Sequence, residues 1–323
     1  MKRVISIDHG NRLMKIINGQ AFPSSFVESQ YLPSIGGDVL NYEGKSYTVV
    51  DQCLPVLNDK TEDERYFILT LIAIGKELAS DAELMRKLTP HDHINVELLI
   101  GLPLQHYEAY RKKFERYFTD RNGIIRFELN GKSYSIRITN AHAFPQAYSA
   151  AVTVFDRLRG SNIVNVVDVG GFTVDCLQLN KFKPNMTLCT SLYFGVNTLF
   201  QNINDQIRST GGRDISNSIV EGILKKDPAD ISEYSENRIE TVTSAAIAHA
   251  ERMLAEIAQK GFDLDEDRTV FMGGGSILLK EYILHVGKAK KPIFVDDVHA
   301  NAKGYQMLYD MQKNGGNRHH HGA

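Results

Sequence analysis

Two short segments of the chain repeat one pattern, in which an apolar run rich in β-branched residues leads to an aspartate and then to a glycine. The segments are residues 4–10 and residues 166–171. Each run is typical of a buried strand, and the glycine permits a tight turn that brings backbone N–H groups to an anion. Two such loops facing each other across a cleft could hold the phosphates of a nucleotide, while Asp8 and Asp168 hold Mg²⁺ through its waters. The repeat therefore predicts a two-lobed protein that binds ATP.

A third glycine-rich segment follows another short apolar strand. Residues 273–275 are consecutive glycines between a strand pattern at 269–272 and a helical pattern at 277–286. Consecutive glycines let a base or an α-phosphate lie against the backbone where a helix begins. An ordinary strand-to-helix turn is the alternative, although three glycines give more freedom than such a turn requires.

The composition fits this prediction and disfavours some functions. With 42% hydrophobic residues in 323, the chain can bury a large core, and its length favours two domains. A formal net charge of −2 gives no basic field, so direct binding of nucleic acid is not expected. The three cysteines, Cys53, Cys176 and Cys189, are odd in number and lack the spacing of metal ligands, which favours a reducing cytoplasm.

The sequence does not indicate a membrane protein. The longest apolar stretch, residues 66–74, is too short to span a bilayer and continues into a helical pattern. The first strand begins too close to the N-terminus to leave room for a signal peptide. We therefore expect a cytoplasmic protein with no membrane partner.

Hydrophobic periodicity predicts the elements around these motifs. Helical patterns cover residues 146–158, 215–225, 238–260 and 300–312, and the last is expected to return the chain to the first lobe. The Asn-Gly pair at 130–131 predicts a tight hairpin turn.

Five segments, taken in order, resemble the motifs of the actin-like ATPase superfamily. Residues 8–15 and 168–175 are similar to its two phosphate loops, residues 273–275 to its adenosine motif, and residues 145–151 and 300–305 to its two connecting helices. Residues 195–199 and 300–305 look most like the plasmid-segregation actins of the ParM type and their archaeal relatives.

The resemblance implies an α/β fold of two actin-like lobes, a duplicated ribonuclease-H-like ATPase fold with the nucleotide cleft between the lobes. The first lobe would comprise residues 1–161 and 299–313, with a small outer subdomain at about 33–65. The second lobe would comprise residues 162–298. The polar, glycine-rich residues 314–323 would form a disordered tail.

The same resemblance implies roles for individual residues in Mg²⁺-dependent hydrolysis of ATP, with GTP as an alternative nucleotide. Asp8 and Asp168 would act through Mg²⁺-bound water, and Gln146 would orient the attacking water. The nucleotide would contact Gly10, Asn11, Arg12, Lys15, Gly170, Gly171, Phe172, Thr173, Glu221, Lys225, Gly273, Gly274, Gly275 and Ser276.

Some of these residues have a plainer interpretation. Lys15 could be a surface lysine, and Glu221 with Lys225 could lie on a solvated helix face. His9, inside the first loop, could touch a phosphate or simply face solvent. Phe172 stands where some relatives carry a small residue, which leaves the tightness of the second loop open.

Three functional classes are compatible with the resemblance. A protein that forms head-to-tail filaments and segregates plasmid DNA through a DNA-binding adaptor accounts for the outer subdomain and for residues 195–199 and 300–305. A chaperone would require a peptide-binding domain after the ATPase core, and the chain stops at Ala323. A kinase for a small sugar or acid, which is the alternative, would require a catalytic carboxylate, and residues 18–140 show no clear candidate.

Overall fold

The computed structural model describes residues 1–29, 37–52, 57, 59–87, 89, 92–121 and 123–318. The chain divides into two compact units, Met1–Thr153 with His299–Ala323, and Val154–Val298. Each unit contains a β-sheet with helices packed against it, which confirms the predicted α/β class. The sequence placed the start of the second unit later, at residue 162.

The strands form two sheets. They are β1 (Lys2–His9), β2 (Leu13–Ile16), β3 (Phe22–Pro23), β4 (Phe26–Ser29), β5 (Val39–Tyr42), β6 (Lys45–Val49), β7 (Ile94–Leu102), β8 (Ile125–Leu129), β9 (Lys132–Pro145), β10 (Ile163–Val169), β11 (Val174–Asn180), β12 (Lys183–Leu192), β13 (Arg268–Met272) and β14 (Pro292–Phe294). The first sheet has the order β3-β2-β1-β7-β9-β8-β5-β6-β4, and the second has the order β12-β11-β10-β13-β14.

Helices connect and cover these strands. They are α1 (Arg65–Ser80), α2 (Ala82–Lys87), α3 (Leu104–Thr119), α4 (Tyr148–Val152), α5 (Val196–Ser209), α6 (Asn217–Leu224), α7 (Pro228–Glu233), α8 (Glu236–Gln259), α9 (Gly274–Val286) and α10 (Ala300–Arg318), with a 3-10 turn at Phe155–Leu158.

The two sheets share a plan, which is the structural form of the repeat in the sequence. β1 forms an antiparallel hairpin with β2 and lies parallel to β7. β10 forms the same hairpin with β11 and lies parallel to β13. Asp8 and Asp168 therefore occupy equivalent positions, where Asp8 is paired with Lys15 and Asp168 with Asp175.

The predicted helix over residues 146–158 is wrong in its first part and broken in its second. Gln146 lies in the turn that follows strand β9, where its backbone N–H donates to the carbonyl of Leu102 at the end of β7 over 2.8 Å. Helix α4 then spans only Tyr148–Val152. Residues 152–154 are all β-branched, and such residues lose side-chain freedom in a helix, which explains the break before the 3-10 turn.

Helix α10 is longer than predicted. It runs to Arg318, so residues 314–318 are helical rather than disordered. A helix that is already packed can extend through glycines because elongation needs no new nucleus.

Strands β5 and β6 of the predicted outer subdomain join the first sheet through the pairing of β5 with β8. Residues 319–323, residues 33–36 and Cys53 lie outside the described residues.

Helix α1 accounts for the longest apolar stretch of the sequence. Residues 66–75 are all buried, as expected for a helix that is apolar on every side and is therefore covered on every side. Within the described residues, we find no helix with both the length and the apolar character needed to cross a membrane.

Glu97 on β7 is a buried carboxylate with basic side chains around it. Lys2 Nζ lies 2.5 Å from Oε2, and His142 Nε2 lies 2.8 Å from Oε1. The ammonium of Lys313, on α10, lies 3.9 Å away. Burial by itself would raise the pKa of Glu97, but the interactions with Lys2, Tyr309 and His142 outweigh it and lower the pKa to about 2.

The protein should consequently lose stability as the pH falls from about 4.5 towards 2, because the unfolded chain takes up a proton that folded Glu97 does not. In Glu97→Gln this part of the pH dependence should disappear. Urea unfolding at neutral and at acid pH measures it, with the exposed Glu233→Gln as control. An undiminished acid-induced loss in Glu97→Gln would assign the effect to another group.

Candidate functional site

Asp8 lies at the carboxyl edge of the first sheet, with three donors around its carboxylate. Lys15 Nζ donates to Oδ2 over 3.0 Å, Gln146 Nε2 donates to Oδ1 over 2.6 Å, and the Tyr305 hydroxyl donates to Oδ1 over 3.2 Å. These donors belong to β2, to the end of β9 and to α10. Three segments that are far apart in the sequence therefore converge on one carboxylate.

The carboxylate of Asp8 is charged although it is buried. Asp8 is only 1% exposed, and burial by itself would raise the pKa of its carboxyl group. The charge of Lys15 and the hydrogen bonds from Lys15 and Gln146 outweigh burial, so the pKa lies below its usual value. Lys15 is therefore paired with Asp8 and is not a free surface lysine.

The bond to Asp8 fixes the orientation of the Gln146 amide. A carboxylate only accepts hydrogen bonds, so the NH₂ group of Gln146 must face Asp8. Its Oε1 then remains as an acceptor, which is the atom that could hold the hydrogen of a water molecule.

Each residue of the first loop, residues 10–12, accepts a hydrogen bond from a neighbouring segment. The Ser24 hydroxyl donates to the carbonyl of Gly10 over 2.6 Å, and the Ser24 N–H donates to that of Arg12 over 2.9 Å. The Tyr66 hydroxyl donates to Oδ1 of Asn11 over 3.0 Å. A Cβ at position 10 would lie 2.5 Å from the carbonyl oxygen three residues later, so this turn requires glycine.

His9 belongs to the core and does not face solvent or a phosphate. It is 0% exposed, and its ring lies 5.4–6.0 Å from the ring centroids of Tyr66, Phe114 and Phe118. Its Nε2 lies 2.8 Å from the Thr70 hydroxyl, whose own hydrogen goes to a backbone carbonyl. Nε2 of His9 is therefore the donor in this pair.

Lys60 is a second cation beside this loop, and no sequence motif pointed to it. It is 4% exposed, and its ammonium donates to the backbone carbonyl of His9 and lies 5.1 Å from the centroid of the Tyr66 ring. Burial, with the charge of Lys60, lowers the pKa of His9 to about 3, so the ring is neutral. The charge of Lys60 also helps to lower the pKa of Asp8.

The second loop packs against the start of α5. The carbonyls of residues 170–172 accept hydrogen bonds from the N–H groups of residues 195–197 over 2.9–3.2 Å. The Gly170 N–H donates to the carbonyl of Thr173 over 2.8 Å, which closes the turn. This N–H is engaged inside the loop, so a contact of Gly170 with a phosphate would have to come from another part of its backbone. The N–H groups of residues 171–173 are the remaining candidates.

Gly195 explains how this loop accommodates Phe172. A Cβ on Gly195 would lie 2.4 Å from the carbonyl oxygen of Gly171 and 2.4 Å from the carbonyl carbon of Phe172. The loop and the helix therefore approach at a distance that only glycine allows, so the loop is tight despite the large residue at position 172.

The glycines at the start of α9 lie against Asp168. Gly273 has a φ of 84°, and a Cβ there would lie 2.3 Å from Oδ1 of Asp168. Gly275 packs against Val169 in the same way, whereas Gly274 is exposed with open space around it. The backbone at Gly274 is therefore the accessible part of this cluster.

The hydroxyl of Ser276 takes part in the fold of α9. Ser276 is 0% exposed, and its hydroxyl donates to the carbonyl of Gly273 over 2.9 Å, where it supports the first turn of α9. A hydroxyl that is buried and already bonded is not a candidate contact for a nucleotide.

Glu221 and Lys225 lie at the C-terminal end of α6, where they form an ion pair of 3.3 Å on a partly exposed helix face. Helix α6 packs on α9 through the Tyr282 hydroxyl, which donates to the carbonyl of Leu224 over 3.2 Å. The pair is therefore carried by the helix that neighbours the glycine cluster.

Two family models match the sequence, and together they cover most of it. The N-terminal domain of actin-like proteins matches residues 6–148, and the C-terminal domain of the archaeal actin homologue, MreB-like, matches residues 166–284. The chain belongs to the actin-like superfamily.

Solved structures of actin-like proteins share this fold along nearly the whole chain. The actin-like protein Alp7A has a TM-score of 0.74 at 15% identity, with 99% of this chain and 100% of that one covered. The archaeal actin homologue Ta0583 in complex with ADP has 0.71 at 18%, covering 95% and 99%. A ParM in a 15-stranded filament from Clostridium botulinum has 0.70 at 17%, covering 95% and 98%. No curated protein matches the sequence.

The two halves of this actin-like protein differ in charge at their equivalent positions. Asp8 is paired with Lys15, whereas Asp168 is paired in register with Asp175, to which the Thr173 hydroxyl donates over 3.3 Å. Where the chain is described, no three acidic, histidine or cysteine residues form a metal cluster. A donor set of one or two carboxylates fits Mg²⁺, which usually keeps several waters and takes further oxygens from phosphates.

Proposed function

We propose that this actin-like protein is an ATPase that assembles into filaments, and that the two aspartate-glycine loops contribute to nucleotide binding. The observation that carries the proposal is the charged, buried carboxylate of Asp8, which holds Lys15 and Gln146, together with its counterpart Asp168 beside Gly273. Burying a charged carboxylate such as that of Asp8 is costly, and perturbed ionisable groups cluster at functional sites. Asp8 and Asp168 both lie in segments where phosphate loops are expected.

The residues of the first unit suit phosphoryl transfer, which depends on positioning and on neutralising charge. Asp8 orients Lys15, whose ammonium would neutralise phosphate charge, and it orients Gln146. The amide of Gln146 can orient a water molecule through Oε1 but is too weakly basic to take its proton. Asp8 and Asp168 would hold Mg²⁺ through water, and the ion would supply further charge neutralisation.

Replacing Gln146 by alanine should slow hydrolysis while nearly preserving nucleotide affinity and assembly, because ground-state contacts come from the loops. Filaments of Gln146→Ala should also persist longer once ATP is limiting. Single-turnover hydrolysis and nucleotide titration measure the two effects separately. The partly exposed Gln306, whose amide donates to Asp310 on the same helix α10, provides a matched control as Gln306→Ala. Equal loss of binding and turnover would give Gln146 a structural role instead.

Filament assembly is supported by the family and by the likeness to a ParM that was solved in a filament. Subunits that repeat head to tail present different surfaces at their two ends, so the assembly does not close. Light scattering and sedimentation with ATP and Mg²⁺, over a range of protein concentrations, should show a critical concentration. A protein that stays monomeric and phosphorylates a small sugar or acid would instead be a kinase of the same superfamily. The similar solved structures do not favour this alternative.

We further propose that the filament segregates plasmid DNA in the cytoplasm through a DNA-binding adaptor. The net charge of −2 supports an indirect contact, because binding to the phosphate backbone is driven mainly by basic residues. The purified protein should leave the mobility of DNA unchanged with ATP and Mg²⁺. Salt-dependent binding of the protein alone to DNA would contradict the need for an adaptor.

A further inference from the structure

The residue that follows Gln146 has a strained backbone. Ala147 has φ 61° and ψ −54°, and the N–H of Tyr148 donates to the carbonyl of Gln146 over 2.7 Å. This combination defines a γ-turn of the positive-φ type, which is rare and unfavourable for a residue that carries a Cβ. Such a conformation persists only where the surroundings impose it.

The side chain of Asn301 supplies that constraint. Its Oδ1 accepts a hydrogen bond from the N–H of Ala147 over 3.0 Å, and the two residues are 8% and 3% exposed. If Ala147 relaxed to a negative φ, its N–H would turn away from this acceptor. A buried N–H without a partner is costly, so the bond holds the γ-turn in place.

Helix α10, which carries Asn301 in its first turn, is itself fixed against the first sheet. One turn further on, the Tyr305 hydroxyl donates to Asp8, and the Ser6 hydroxyl donates to the carbonyl of Ala302 over 2.6 Å. Gly304 touches α4 so closely that a Cβ there would lie 1.9 Å from the carbonyl oxygen of Ser149. Asn301 is therefore presented by a rigid element.

We propose that Asn301 is a positioning residue for Gln146, which acts by holding the Ala147 γ-turn so that the Gln146 amide stays against Asp8. The inference rests on the proposed ATPase function for its catalytic consequence, while its structural consequence is independent of activity. No sequence spacing could suggest this contact, because Ala147 and Asn301 are 154 positions apart.

Two variants separate the acceptor from the rest of the side chain. Asn301→Leu keeps the size and removes the acceptor, whereas Asn301→Asp retains an acceptor oxygen. Asn204→Leu is a matched control, because Asn204 Oδ1 accepts from the N–H of Ile215 over 3.0 Å in the second unit. We expect Asn301→Leu to lower kcat by on the order of 10-fold with little change in KM for ATP, since misplacement of a catalytic group affects the chemical step. Asn301→Asp should recover most of the rate, and Asn204→Leu should leave kcat unchanged.

Amide hydrogen exchange at Ala147 tests the contact without reference to hydrolysis. The Ala147 N–H should be protected in the parent protein and in Asn301→Asp, and should exchange at least 10-fold faster in Asn301→Leu. Unchanged protection in Asn301→Leu would overturn the inference, as would an equal loss of ATP affinity and turnover. A parent protein that fails to hydrolyse ATP would instead refute the proposed function, and the exchange measurement would still decide the role of Asn301.

Discussion

Replacing Asp168 by alanine is expected to lower ATP hydrolysis by on the order of 10²-fold or more, the size of effect seen when one positioned electrostatic group is removed. Asp168 lies at the end of β10, beside Gly273, in the position equivalent to Asp8. Its carboxylate is one of two that we propose to hold Mg²⁺ through water. Steady-state release of phosphate at saturating ATP and Mg²⁺ measures the loss.

A matched control for this variant is Asp267→Ala. Asp267 directly precedes β13, at the opposite end of the same sheet, and its pKa is raised by burial and by Asp263. It carries the same charge far along the strand from the loops, so its removal should leave turnover unchanged. Normal hydrolysis by Asp168→Ala would remove the second loop from the proposed site.

Asp8→Ala should affect stability as well as hydrolysis. The substitution leaves Lys15, Gln146 and Tyr305 without the carboxylate that they share, and breaking a buried charge pair costs about 3–5 kcal/mol. The exposed pair of Lys280 with Asp296 provides the comparison, since a surface ion pair contributes about 0–1 kcal/mol.

Urea unfolding of Asp8→Ala and Asp296→Ala gives the two free energies, and phosphate release gives the rates. Asp8→Asn keeps the volume and should retain more stability than Asp8→Ala while hydrolysing ATP as slowly. If Asp8→Ala were as stable as the parent protein, the three hydrogen bonds around the carboxylate would not form in solution.

Local patterns in the sequence predicted the elements that local interactions determine. The repeated strand, aspartate and glycine indicated β1 and β10, and the Asn-Gly pair at 130–131 indicated the turn where Asn130 and Gly131 have φ of 53° and 77°. Both signals depend on a few neighbouring residues, because positive φ at two successive positions favours Asn-Gly in a two-residue hairpin loop.

The predictions from local sequence patterns failed where contacts between residues far apart in the sequence determine the structure. Gln146 lies in a region with helical periodicity, yet it forms a turn after β9 because β7 accepts its N–H and Asn301 accepts the N–H of Ala147. His9 reads as a loop residue, yet aromatic side chains from α1 and α3 enclose it. The sequence places Tyr305 only in a connecting helix, and nothing in it indicates that the hydroxyl reaches Asp8.

The first unit is built from two separate segments of the chain, so its parts are synthesised at different times. Residues 1–153 leave the ribosome first, but Asn301 and Tyr305 are synthesised only after the whole of the second unit. At about 5–20 residues per second, the first sheet waits roughly 7–30 s for the helix that completes it. During that interval Asp8 and the Ala147 N–H lack their partners on α10. The first unit to emerge is thus completed only after the second unit has been made, and a nascent chain gains the complete Asp8 site once α10 has been synthesised.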